Sequence, residues 1–516
     1  MSAASRTHRT IQNSRMSLFL FLVQIFIGFF SRKVFLDHLG TEVIGLNTTL
    51  GNILSFINLA ELGIGIAMAT SLYKPLHDQD QTRMCEILTV QGILYRRIAW
   101  LLCGLSVPVL VALPFLFPNT ECGIVYVYVA YLVFLSGSIF SYLWNYREVL
   151  VQADQKNYKL MPWIHGIRYG KIVLQICFLM LTPWGIWGWI LLEFLSNVLT
   201  VFAINHVVRK EFPWLTKSKE SASTLLHKYK DLMVKTKQMF VHKIGSFVLE
   251  QTAPLIIYAY VSLSMVAYYG NYMMLIGYTV TLMNVIFEGM GASIGNLVAE
   301  NNKEHTLEVF WELFTSRLWI AGIACFGLYL FIGPFITLWL GEEYLLGETT
   351  LLLMILGMFI RMTRSVVDSF KNAYQLFADV WSPIAEAGIN LGCSILFGYW
   401  WGLNGILLGS NLSLILIVLL WKPYYTFREG LKAPSFVYYM QYILHCGILV
   451  AGALLSKLFF TSLYSADGEL HLVSLILCLV GALLLYIAST YAAFYVLTSG
   501  MRRFTQRIIN IIKHRI

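Results

Sequence analysis

Charge is the first thing this sequence is short of. Only 13% of its 516 residues are Asp, Glu, Lys or Arg, against roughly 25% in an ordinary soluble domain. It is short of reaction centres too. There is no Gly-rich phosphate loop, no HExxH and no nucleophile elbow, the patterns that announce nucleotide, zinc-protease and hydrolase chemistry, so no enzyme is expected. None of the eight cysteines forms a CxxC pair. Cys103, Cys177, Cys325, Cys393, Cys446 and Cys478 sit inside apolar runs and read as small buried side chains rather than metal ligands or disulfide partners. No basic patch interleaved with aromatics lies outside the apolar runs, so the net charge of +9 does not point to nucleic acid.

What is there is apolar length. Hydrophobic residues make up 58% of the chain and aromatics 15%. Apolar runs fall at 16–36, 43–73, 87–117, 123–145, 160–181, 184–207, 235–262, 267–298, 306–332, 349–371, 381–399, 403–426, 437–460 and 470–498. A helix needs roughly 20 apolar residues to cross a bilayer, and these runs are too long for the alternating strands of a membrane barrel. The expectation is an all-α polytopic membrane protein with about fourteen spans. The first run follows Arg6, Arg9 and Arg15 but ends at Arg32-Lys33 without a small-residue cleavage site, and so reads as a retained span rather than a signal peptide.

Lysine and arginine sort the connections. One set carries Lys74 and Arg83; Arg147, Lys156 and Lys159; the cluster from Arg209 to Lys237; Lys303; Lys371; and Lys422, Arg428 and Lys432. The tail adds Arg502, Arg503, Arg507, Lys513 and Arg515. The alternate connections Pro118–Cys122, Thr182–Gly185, Val261–Ala267, Leu340–Thr349, Trp400–Gly402 and Thr461–His471 carry neither residue; the one exception on that side is Arg32-Lys33, near the outer end of the first span. Both termini are therefore expected in the cytoplasm.

The chain also repeats itself. Arg97 precedes Pro114 by 17 residues, and Arg317 precedes Pro334 by the same 17. Gly63 and Gly65 recur as Gly289 and Gly291, Gly166 and Gly170 as Gly388 and Gly392, and Gly185-Ile-Trp-Gly188 as Gly402-Leu-Asn-Gly405. The shared order implies two parallel lobes of six spans related by an axis along the membrane normal. The division expected is an N-lobe at 1–207, a basic cytoplasmic linker at 208–234, a C-lobe at 235–427, and two further spans with a basic tail at 428–516. The linker reads as a partly amphipathic segment beside anionic lipid headgroups.

Transporters of this plan bind substrate between the lobes, and charges inside spans are costly unless they face such a cavity or one another. In the tenth span Arg361, Arg364, Asp368 and Lys371 share one helical face. The fifth carries Arg168 and Lys171, and Arg32 with Lys33 closes the first. Lining one cavity, these would suit an anionic substrate, because arginine grips phosphate with two parallel hydrogen bonds. Ion pairing or reaching to the surface is the plainer reading, above all for Lys371. The carboxylates Glu61, Glu193, Glu250, Glu288, Glu386 and Asp368 are candidates either for pairing with these cations or for binding Na⁺ or H⁺ as a coupling ion, with Glu250 and Asp368 favoured. No other cofactor is expected.

Two stretches carry a resemblance. Ser31-Arg-Lys-Val-Phe-Leu-Asp-His-Leu-Gly40 with Val43-Ile-Gly-Leu46 is similar to the close of the first span in lipid-linked oligosaccharide flippases, and Pro334-Phe-Ile-Thr-Leu-Trp-Leu-Gly341 to the close of their ninth. With the six-plus-six layout and two extra spans, the whole chain resembles the polysaccharide branch of the MOP superfamily, which shares the MATE-like fold. The resemblance implies an undecaprenyl-diphosphate-linked oligosaccharide (an O-antigen, capsule or exopolysaccharide unit) moved from the inner to the outer leaflet of a bacterial inner membrane by alternating access. It implies membrane lipids and other polysaccharide assembly proteins as partners. Multidrug members of the fold build a cation site from carboxylates on the seventh and tenth spans, the spans of Glu250 and Asp368, though with different neighbours. A multidrug/cation antiporter is thus the alternative within the fold, and a polysaccharide polymerase or ligase the alternative outside it. The short outer connections argue against the latter.

Overall fold

The computed structural model describes residues 3–58, 64–118, 120–154, 156–182, 185–230, 251–287, 294, 297–298, 300, 302–374, 376, 378–464 and 472–513. Every regular element among the described residues is helical. Hydrocarbon demands this: with no water to bond, the backbone must satisfy its own N–H and C=O groups within each spanning segment. Among the described residues, ten helices are long and apolar enough to cross a membrane. The chain is a multi-pass, all-α membrane protein.

Ten such helices among the described residues and fourteen expected runs differ in number for identifiable reasons. The segments Met16–Ile57 and Trp381–Leu431 each hold the start or whole of two runs, bent at Gly40 (φ 79°) and Gly402 (φ 55°). Such backbone angles suit glycine because it has no Cβ. The second and seventh runs cross residues 59–63 and 231–250, outside the described residues. The eighth run, 267–298, begins in the helix Leu263–Phe287, which is not one of the ten, and continues into residues 288–293, outside the described residues. Side-chain caps mark helix starts at Asp80, whose carboxylate accepts from the Arg83 amide, and at Asn302, which accepts from the His305 amide, filling donors that a helix start leaves open.

Contacts divide the chain into two compact units, Met1–Ala267 and Tyr268–Ile516. The core of the first is built on Leu46, Leu50, Tyr126, Tyr131 and Leu150, all fully buried. Tyr126 meets Asn47, whose amide donates to its hydroxyl at 3.0 Å. The basic segment after the sixth run folds back on this unit. The helix Gly185–Glu211 of the sixth run is followed in that segment by a short helix, Ala222–Lys228. Beyond that, Lys228 Nζ and Tyr229 Oη donate to the Glu86 carboxylate at 2.8 and 2.6 Å. The bond to Glu86 holds the Lys228 ammonium above its ordinary pKa.

In the second unit Phe310 is ringed by Phe314, Phe370, Phe427 and Tyr438, with ring centroids 5.0 to 6.4 Å away. The two arms of the helix bent at Gly402 close tightly. A methyl group at Gly405 would lie 1.9 Å from the Phe397 carbonyl oxygen, so only glycine permits this approach. The helix Ser499–Lys513 docks on the helix Lys303–Trp339. Arg503 donates to Glu308 at 2.6 Å, and Arg507 Nε lies 2.9 Å from Glu312 Oε1.

Candidate functional site

The helix Glu348–Ala373 has 26 residues and carries most of the candidate cations. Met354, Met358, Met362, Val366 and Phe370 recur every fourth position and are buried, which turns Arg361, Arg364 and Asp368 to a half-buried face. Arg361 lies roughly 20 Å along a helix about 39 Å long, at 1.5 Å per residue, hence near the middle of the span. It forms no hydrogen bond or ion pair with any described residue. One turn on, Arg364 Nε lies 3.0 Å from Asp368 Oδ2, with both side chains about one-third exposed. At the helix end Lys371 Nζ donates to both Asp379 oxygens, at 2.6 and 2.7 Å. Asp379 also accepts from Ser382 Oγ and Trp421 Nε1, so its charge is fully compensated.

The first unit repeats the pattern. On the helix Asn157–Leu181, Lys171 Nζ donates to both Glu193 oxygens at 2.8 Å, and Gln175 Nε2 adds a third bond at 3.2 Å. Arg168, one turn earlier, is exposed and forms no hydrogen bond or ion pair with a described residue. Arg32 Nη2 donates to the Ala267 carbonyl at 2.9 Å. Lys33 meets Asp37 at 3.4 Å with both side chains nearly half exposed, a geometry worth little. Of the carboxylates, Asp368 and Glu193 pair as above, and Glu386 Oε2 lies 3.2 Å from Lys422 Nζ. Glu61, Glu250 and Glu288 lie outside the described residues.

One residue of consequence escaped the sequence reading, where it served only to mark the repeat. Arg317 is 1% exposed and heads the largest fully buried side chains. Its Nε donates to the Met362 carbonyl at 2.9 Å and its Nη1 to the Met283 carbonyl at 3.4 Å. Arg317 thus ties three helices together, one bond landing on the residue next to Arg361. Its counterpart in the repeat, Arg97, is exposed. Only the 17-residue spacing to Pro334 drew attention to it, and spacing does not report burial.

The second unit also carries an open apolar groove of about 670 Å³, within the range of small-molecule sites. Phe326, Leu352, Phe359, Leu449 and Tyr486 are among its walls. Glu348 and Lys457 stand at its edge, 3.3 Å apart, each bonded to the Tyr329 hydroxyl at 2.8 Å.

These features belong to a MATE-like fold: an all-α polytopic chain of the kind found in membrane transporters. The likeness rests on solved structures. The inward closed lipid II flippase MurJ matches with a TM-score of 0.64 at 14% identity, over 94% of this chain and 99% of that one. An inward-facing multidrug resistance MATE family transporter of the MOP superfamily matches at 0.57 and 15% identity, over 81% and 99%. The Vibrio cholerae MATE transporter VcmN matches at 0.50 and 15%, over 83% and 98%. No family model and no curated protein matches the sequence.

Proposed function

We propose that this protein is a flippase for an undecaprenyl-diphosphate-linked oligosaccharide. It would carry an O-antigen, capsule or exopolysaccharide unit from the inner to the outer leaflet of a bacterial inner membrane by alternating access. The observation that carries the reading is a pair of arginines held within spans without an ionic partner among the described residues, Arg361 in one unit and Arg168 in the other. A guanidinium placed there is costly unless water or an anion completes it, and a diphosphate supplies the matching bidentate acceptor. The apolar groove of the second unit suits the hydrocarbon part of such a substrate. A flippase for a lipid is among the proteins that share the fold.

An antiporter for cationic drugs would need open carboxylates. Among the described candidates, Asp368, Glu193 and Glu386 each face a basic side chain. Na⁺ or H⁺ coupling, if present, would then fall to Glu61, Glu250 or Glu288.

The test is the leaflet distribution of lipid-linked oligosaccharide in a strain lacking the protein, complemented with the native chain, with Arg361→Ala or with Arg168→Ala. Substrate trapped on the cytoplasmic leaflet in the deletion strain and in the variants is the expected result. Normal distribution in the deletion strain, with no second flippase present, would rule the function out. Trapping in the deletion strain alone would keep the function and discard these two arginines.

A further inference from the structure

A second cationic site lies in the first unit, on residues that the proposed transport does not use. A cavity of about 380 Å³ is lined by Arg96, Arg147, Arg209 and Lys217 with Trp144 and Asn205, and no Asp or Glu lines it. The four cations come from separate parts of the chain. Arg96 stands where the helix Gln81–Leu116 passes from its polar start into the apolar stretch 98–116. Arg147 ends the single turn Asn145–Arg147. Arg209 lies in the last turn of the helix Gly185–Glu211. Lys217 belongs to the segment that folds back on the unit, and it is fixed there by the adjacent Ser218 amide, which donates to Thr89 Oγ1 at 2.9 Å. Four like charges around one concavity, three of them exposed, raise the local positive potential and attract an anion.

Adjoining this cavity is another, of about 700 Å³ and mainly apolar, which shares Trp144, Asn205 and Arg209 with it. Its remaining walls include Phe140, Val198, Val201 and Phe202. Positions 209, 205, 201 and 198 recur every three or four residues, so they form one stripe on the helix Gly185–Glu211. The stripe runs roughly 16 Å from Arg209 to Val198, basic at the helix end, polar at Asn205 and apolar over its last turn toward the middle. Trp144, half exposed at the junction, is the residue type that collects at headgroup level. Arg147, Arg209 and Lys217 lie in the connections that lysine and arginine counting puts on the cytoplasmic side. Basic pockets between helices on that side take anionic headgroups.

We infer that Arg96, Arg147, Arg209 and Lys217 form a binding site for the phosphate of an anionic phospholipid of the cytoplasmic leaflet, with an acyl chain lying along Phe140, Val198, Val201 and Phe202. The inference is independent of the transported substrate.

The experiment is native mass spectrometry of the purified full-length protein with phosphatidylglycerol, phosphatidylcholine or inorganic phosphate added. The native protein is expected to retain phosphatidylglycerol in preference to phosphatidylcholine. Arg96→Gln/Arg209→Gln should weaken phosphatidylglycerol retention by roughly tenfold or more and leave phosphatidylcholine unchanged. Lys217→Gln, an exposed side chain outside the helix packing, should give a smaller loss in the same direction. Val201→Trp, which fills the apolar groove and keeps every charge, should also weaken it. Equal phosphatidylglycerol retention by the native protein and the charge variants would overturn the site. Displacement by inorganic phosphate together with full retention in Val201→Trp would overturn the lipid in favour of a free anion. Displacement by undecaprenyl phosphate at equal concentration would overturn it in favour of the transported lipid.

Discussion

Arg361 and Arg168 differ from the other basic side chains of the spans in what surrounds them. Lys371, Lys171 and Arg364 each meet a carboxylate within 3.0 Å; the first two arginines meet none among the described residues. A paired charge and a substrate-binding charge respond differently to removal of the partner. Lys171→Met should cost about 3 kcal/mol by stranding Glu193 in a half-buried site, while Lys171→Met/Glu193→Leu should recover most of it. Thermal unfolding in detergent measures both. If the double variant regains stability and also flips substrate normally, Lys171 is structural. If it is stable but inactive, Lys171 touches substrate. Arg317→Met should cost about 2–3 kcal/mol by removing the charge-assisted hydrogen bonds that tie three helices together, seen as a lowered Tm. The helical face shared by Arg361, Arg364 and Asp368 was legible because spacing alone decides it. The partner of Lys171 was not: it sits on the next helix, 22 residues away, and depends on how the hairpin between them closes. The burial of Arg317 depends on three helices meeting, which no local pattern encodes.

At the scale of elements, Gly402 and Gly405 together make one hairpin. Gly402 supplies the turn through its positive φ, and Gly405 lets the returning arm touch the backbone of the first. Gly405→Ala should destabilise by about 2 kcal/mol, because the contact is with backbone rather than with a movable side chain. A fall in Tm well beyond that of Gly388→Ala, whose added methyl meets nothing within 4 Å, would bear this out; equal effects would not. The repeat that paired Gly185-x-x-Gly188 with Gly402-x-x-Gly405 pointed to these positions, since small residues at equal spacing mark tight helix contacts. Helix existence and type followed directly from hydrophobic length. The docking of the segment after the sixth run did not. Its anchors, Glu86 with Lys228 and Tyr229 and Thr89 with Ser218, are single polar contacts between residues far apart in the chain.

For the whole molecule, the MATE-like fold defines how the chain is built, and the distribution of charge carries the functional reading. Guanidinium groups without an ionic partner among the described residues, and described carboxylates that face basic side chains, support the proposed anionic cargo over a cationic one. The most direct measurement uses purified protein in liposomes holding a fluorescent undecaprenyl-diphosphate oligosaccharide on both leaflets, with a membrane-impermeant quencher outside. The expected result is that the native protein exposes the inner-leaflet pool to the quencher, and that Arg361→Ala slows this by roughly tenfold to a hundredfold, the loss of one or two charge-assisted hydrogen bonds. An inner-leaflet pool that stays protected, at the rate of protein-free liposomes, would contradict it.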